Sequence, residues 1–162
     1  MESTNTMRFN EAGKIRKVQQ QAQKAMEAAL TDMLITAQNH FTENFRKQGF
    51  DDRVVEKWQP RKRQFYRTKG GRRVDDSTRG ILIGKGTGTL RRSLRRLKTS
   101  RYSGIIYVTG NANKYAKVHN DGLRAGRGRG FIMPKRQFIG DSYNMFQKID
   151  RKVRQRLDRI FK

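Results

Sequence analysis

The sequence contains no cysteine, which removes disulfides, thiolate metal sites and cysteine nucleophiles from consideration. Histidine is nearly absent as well. His40 and His119 are the only two, too few for a histidine-built metal centre. Proline occurs twice, at Pro60 and Pro134, so most of the chain is free of helix breaks. No apolar run approaches the roughly 20 residues of a membrane span, and residues 1–9 lack the apolar stretch of a secretory signal. The expectation is a soluble, intracellularly made protein. Acidic residues are also scarce, with 14 Asp plus Glu against 38 Lys plus Arg. Four of those acids fall in residues 77–162, too few for the clustered carboxylates of a two-metal nuclease.

What is present is positive charge, unevenly placed. The formal net charge is +24. Residues 1–76 hold 16 basic and 10 acidic side chains, and residues 77–162 hold 22 and 4. Small soluble domains usually carry a net charge of about 2–8, so the excess exceeds what solubility requires. A field of this sign attracts polyanions, nucleic acid above all, and arginine suits bidentate contact with phosphate. Self-repulsion opposes the isolated fold, which points to an acidic partner. Hydrophobic residues make up 34% of the 162-residue chain, enough for one modest core.

Periodicity divides the chain into elements. Residues 1–13 are polar and read as a flexible arm ending at Gly13, leaving 14–162 as a single domain. From Lys14 to Lys47 apolar residues recur in steps of three and four, the pattern of one long amphipathic helix. Gly49 is expected as its left-handed end residue. Residues 51–80 hold many basic side chains and few core candidates beyond Trp58, Phe65 and Tyr66, and read as an extended basic loop or irregular hairpin. Thr89 is expected to cap a short helix to about Lys98, with Leu90, Leu94 and Leu97 on one face. Gly104 to Thr109 reads as a strand, and Tyr115 to His119 as one helical turn. Asp141 or Ser142 can cap a last helix that reaches Phe161. The fold expected is α+β: long N-terminal and C-terminal helices packed on a small antiparallel sheet, with long basic loops.

No stretch carries a catalytic signature. Gly84-Lys85-Gly86-Thr87-Gly88 resembles a phosphate loop only superficially. The loop pattern needs glycine where Arg79 stands and Ser or Thr where Gly86 stands. His119 sits beside Asn120 and Asp121, but adjacency in sequence does not assemble a nucleophile and its base. Neither an enzyme nor a cofactor is expected, and His119 reads as a structural or interface residue. Arg91, Arg92, Arg95 and Arg96, with Arg127 and Arg129 of the Arg/Gly-rich loop at 123–132, are the candidates for polyanion contact. Such contact would be to backbone rather than to bases, since no zinc-finger spacing or RNA-binding aromatic motif is present. The Arg-Gly run reads equally well as a phosphate-tracking segment and as a loop joining two strands.

Four motifs in order resemble the virion morphogenesis, or tail-completion, family of tailed bacteriophages. They are Trp58-Gln59-Pro60; Leu82 to Gly88 with Thr89-Leu90-Arg91-Arg92-Ser93-Leu94; Tyr115-Ala116-Lys117-Val118-His119-Asn120-Asp121-Gly122; and Met133-Pro134-Lys135-Arg136-Gln137-Phe138-Ile139-Gly140. The resemblance spans about residues 40–161. Lys135 replaces the family's common alanine, and the Arg-Gly insertion before Pro134 is longer than usual.

The resemblance implies a structural subunit of the phage neck or tail. It would complete the tail and join it to the DNA-filled head as a homo-oligomeric ring, a hexamer being the expected form. Its neighbours would be connector, neck and tail-terminator proteins and the backbone of packaged DNA, and its place the virion, after assembly in the host cytoplasm. The competing reading is a non-sequence-specific nucleic-acid-binding protein, ribosomal- or nucleoid-like. Leu30, Leu34, Phe41 and Phe45 of the long helix are the expected subunit contacts. Trp58, His119 and Gly122 are expected in structural roles, with a positive φ at Gly122. Tyr115, Val118, Phe131, Ile132, Pro134 and Phe138 are expected to form a core beside the sheet.

Overall fold

The computed structural model describes residues 3–62, 65–84 and 87–160, with side chains in the first helix described from Glu11 onward. Arg63, Lys85, Gly86 and Phe161 lie outside the described residues. The fold is α+β. α1 (Ser3–Lys47) leads into two short antiparallel hairpins, β1 (Gly49–Asp51) with β2 (Val55–Lys57) and β3 (Phe65–Arg67) with β4 (Arg73–Asp75). A four-residue helix, α2 (Thr89–Arg92), precedes the longest hairpin, β5 (Leu94–Lys98) with β6 (Gly104–Val108). A 3-10 turn leads to α3 (Asn113–Asp121), followed by the hairpin β7 (Arg124–Ala125) with β8 (Phe131–Ile132) and by α4 (Tyr143–Ile160). The four sheets are two-stranded and antiparallel.

α1 has 45 residues, about 67 Å at 1.5 Å per residue. It starts at Ser3, so residues that read as an arm continue the helix. A lone Gly13 costs about 1 kcal/mol against alanine, too little to end a helix that propagates on both sides. Its burial is divided along its length. Residues 11–21 are exposed, whereas Ala25, Ala29, Leu30, Leu34, Phe41 and Phe45 are buried. α4 lies along the buried half, and Arg156 pairs with Asp32 at 2.6 Å. The hairpin β5–β6 covers another side of α1. Gly104 sits so close that a Cβ there would meet Leu34 Cδ1 at 2.7 Å.

The core gathers Phe41, Phe45, Trp58, Leu90, Leu94, Val108, Ala112, Ala116, Phe138 and Met145. Phe45 stands at its centre, edge-on to Trp58 at 5.6 Å and tilted against Phe138 at 5.3 Å. Ser142 caps α4 as expected, its hydroxyl accepting from Met145 N–H at 3.1 Å. Gly122 has φ +71 and closes α3.

Four local expectations give way to tertiary context. The stretch after Thr89 stops being helical at Ser93, and Leu94–Lys98 pairs with Gly104–Val108 as strand. The β-branched and aromatic run at 105–108 offers a partner that a helix cannot use. Leu97 accordingly turns outward and is 48% exposed. The residue before α2 is Gly88, at φ 58, and Thr89 makes no capping bond. The left-handed residue after α1 is Gln48 at φ 53, while Gly49 begins β1. Gln48 holds this conformation by donating from its amide to Phe45 O at 2.5 Å and accepting Ile81 N–H. Finally, Phe131 and Ile132 are exposed at 57% and 71%, and Tyr115 is exposed as well. β8 pairs with β7 alone, so nothing covers its side chains, and of the expected sheet-side residues Phe138 is the one fully buried.

Candidate functional site

Three sequence motifs converge around residues 136–139. Trp58 Nε1 donates to Gln137 O at 2.8 Å, and Asn44 Nδ2 donates to Phe138 O at 3.2 Å. Asn120 Oδ1 accepts from both Phe138 N–H and Ile139 N–H at 3.0 Å. Arg136 N–H donates to His119 O at 2.8 Å. Backbone groups of a segment with no ladder of its own are thereby satisfied by side chains from α1, the Trp58 segment and the end of α3.

Beside this junction lies a cleft of about 370 Å³, lined among others by Arg61, Arg79, Leu82, Tyr115, His119 and Arg136. Asp76 Oδ2 receives Arg61 at 2.8 Å and Arg79 at 2.6 Å. Arg136 is 6% exposed and donates from Nε to Gln59 O at 3.1 Å. Burial and the nearby Arg61 cation both lower the proton affinity of its guanidinium. Burial, then Arg136, lowers that of His119. Arg61, Arg79 and Asp76 carried no signal in the sequence, since they stand in the segment read as loop. Arg136 was visible only as part of its motif.

A second polar cluster joins α1, β1 and α4. Asp51, buried, receives Lys47 at 2.5 Å and Asn144 at 2.8 Å, and its backbone carbonyl accepts from Ser142 at 2.6 Å. Burial raises the Asp51 carboxyl, but the bonds from Lys47 and Asn144 and the charge of Lys47 outweigh it and hold it below the usual range. His40 Nε2 bonds to Asp51 O at 2.9 Å, and burial, then Lys148, keeps its imidazole less basic than usual.

The six candidate arginines occupy three places. Arg91 and Arg92 belong to α2, Arg95 and Arg96 to β5, and Arg127 and Arg129 to the turn between β7 and β8. Alternation along β5 separates Arg95 from Arg96. Arg96 donates to Gln38 Oε1 on α1 at 2.5 Å, whereas Arg95 bonds to the neighbouring carbonyls of Arg92 and Leu94. None of the six is ion-paired among the described residues. The carboxylates that do form ion pairs, Glu27, Asp32, Glu43, Asp51, Asp76 and Asp150, pair with other cations. The expected interface residues Leu30, Leu34, Phe41 and Phe45 are buried within the chain itself. What α1 leaves exposed is Ile15, Val18, Met26 and Met33. A helix with two apolar stripes gives its own fold the larger residues, and periodicity alone does not say which stripe stays inside.

No group of three or more potential metal-ligating side chains occurs among the described residues, and none of their helices is long and apolar enough to cross a membrane. A small α+β chain with long flanking helices, short hairpins and an unpaired arginine surface has the make-up of an assembly protein. The profile of the phage virion morphogenesis family matches residues 10–158, and the chain belongs to that family. No curated protein and no solved structure matches it.

Proposed function

We propose that this chain is a structural subunit that completes the phage tail and joins it to the DNA-filled head, working as a ring of identical copies. Family membership supports a role in virion assembly. The observation that carries the finer reading is the exposed N-terminal part of α1. Ile15, Val18 and Met26 recur at helical spacing there, and they are 58%, 53% and 47% exposed. An amphipathic helix with no partner along one stripe gains from burying it against another copy.

The arginines without carboxylate partners supply the second half of the reading. They form a surface that faces packaged DNA or acidic neighbouring rings, with contact through charge rather than base edges. No cofactor or catalytic step enters. The competing role, a backbone-binding nucleic-acid protein outside the virion, draws on the same arginines but leaves the α1 stripe without a use.

Mass measurement of the purified chain by light scattering, together with imaging of virions carrying a tagged copy, tests the proposal. A discrete ring and a tag at the neck or tail are expected. A stable monomer that coats duplex DNA and is absent from mature virions would overturn it in favour of the competing role.

A further inference from the structure

The cleft beside the motif junction is unbalanced in charge. Three guanidinium groups line it, and Asp76 is the carboxylate that Arg61 and Arg79 share. Arg136, the most deeply buried of the three, has neutral acceptors: Gln59 O at 3.1 Å, Pro60 O at 3.4 Å and Met133 sulfur at 4.0 Å. A guanidinium stays charged at neutral pH, and a buried charge without a counter-ion is costly. His119 Nδ1, shielded from solvent, also has no hydrogen-bond partner among the described residues. The walls between these groups include the apolar side chains of Ile81, Leu82 and Leu90.

We propose that this cleft binds the carboxylate of an acidic side chain from a neighbouring protein chain, with Arg136 as the principal partner and Arg79 and Arg61 beside it. Carboxylate geometry matches a planar guanidinium in a two-point contact. The apolar walls suit the methylene stem that a glutamate brings with it. A nucleic-acid backbone is a convex line of charges and meets exposed ridges such as Arg92 and Arg95 more readily than a concave, partly apolar cleft. Complementary charge at a deep pocket of this kind selects a partner and fixes its register. The proposal does not depend on ring formation, because the groups involved belong to one copy.

The test follows the ring signals of the two histidines by NMR in the full chain. The probes are an acetylated and amidated Gly-Glu-Gly tripeptide, its glutamine counterpart, and dimethyl phosphate as a phosphodiester mimic. The glutamate peptide is expected to shift His119 saturably while leaving His40 in place, and the glutamine peptide is expected to leave both unmoved. Arg136→Gln should weaken binding at least tenfold. Because that variant removes a buried group and can impair folding, Arg79→Gln provides the second readout, with a severalfold loss expected, and Arg151→Gln on the exposed side of α4 serves as an unaffected surface control. Equal binding of the glutamine peptide, tighter binding of dimethyl phosphate, or undiminished binding in Arg79→Gln would overturn the assignment.

Discussion

Arg136 donates its backbone N–H to the carbonyl of His119 at 2.8 Å, and both side chains line the same cleft with no carboxylate partner of their own among the described residues. This bond, with the two that Asn120 Oδ1 accepts from Phe138 N–H and Ile139 N–H, ties the end of α3 to the segment that carries Phe138 into the core. The junction supports the fold, and the side chains leaving it shape the cleft. Changes at this point affect stability through the backbone and binding through the cations, and different substitutions separate the two.

The Trp58 indole is the first such case. Trp58→Phe retains most of the aromatic packing on Phe45 but leaves Gln137 O without its donor. A loss of about 1–3 kcal/mol is expected for an unsatisfied buried acceptor. Thermal unfolding followed by circular dichroism should show a midpoint lower by several degrees. An unchanged midpoint would mean that water replaces the indole at no cost.

Glycine geometry gives a paired comparison. Gly122 and Gly110 both have positive φ, at 71 and 64. Alanine at either position incurs the left-handed penalty of about 1–2 kcal/mol. At Gly122 a Cβ would also meet Lys135 N and Cβ at 3.0 Å, whereas nothing lies within 4 Å at Gly110. Gly122→Ala should therefore be the more destabilising of the two in urea titrations. Equal losses would show that the Lys135 backbone gives way freely.

Acid should weaken the fold from just below neutral pH, through the two histidines. His40 and His119 are both less basic in the folded chain than in the unfolded one. Below the ordinary imidazole value of about 6.5 the unfolded chain binds more protons, so their contribution is full above that pH and declines as pH falls through the folded values. The depressed Asp51 carboxyl adds a further loss in more acidic solution, below the ordinary aspartate range. Urea midpoints should fall between about pH 7.5 and pH 5.5, and His40→Gln with His119→Gln should flatten that slope. A midpoint that rises on acidification would contradict this assignment.

Stability and assembly should separate along α1. Leu34→Ala removes a buried side chain and is expected to cost about 2–5 kcal/mol. Ile15→Glu with Val18→Glu alters exposed positions, so the unfolding midpoint should barely move while the assembled mass falls. If the double variant still assembles fully, subunit contact lies elsewhere.

The arginines can be ranked by salt dependence. Each phosphate contact adds about 0.9 to the slope of log affinity against log salt. Arg95→Gln should lower the slope for duplex DNA more than Arg96→Gln, because Arg96 is drawn back onto α1 by Gln38, whereas the acceptors of Arg95 are carbonyls of its own segment. Arg127→Gln with Arg129→Gln tests the β7–β8 turn separately. A slope unchanged in all of these variants would remove these arginines from the DNA-facing surface.

Sequence alone determined the two long helices, the strand at 104–108, an α4 cap at Asp141 or Ser142 and the left-handed Gly122. Each rests on local rules of periodicity, capping or backbone sterics that act within a few residues. It also determined the charge excess and the order of motifs that marks the family. Tertiary structure alone decided that Leu94–Lys98 is strand rather than helix, because the competing partner at Gly104–Val108 lies across a turn. It likewise decided that Leu30, Leu34, Phe41 and Phe45 face their own chain, and that Arg61, Arg79, Arg136 and His119 share one cleft. Those outcomes depend on which distant groups meet, and a side chain's charge or hydrophobicity does not specify its neighbour.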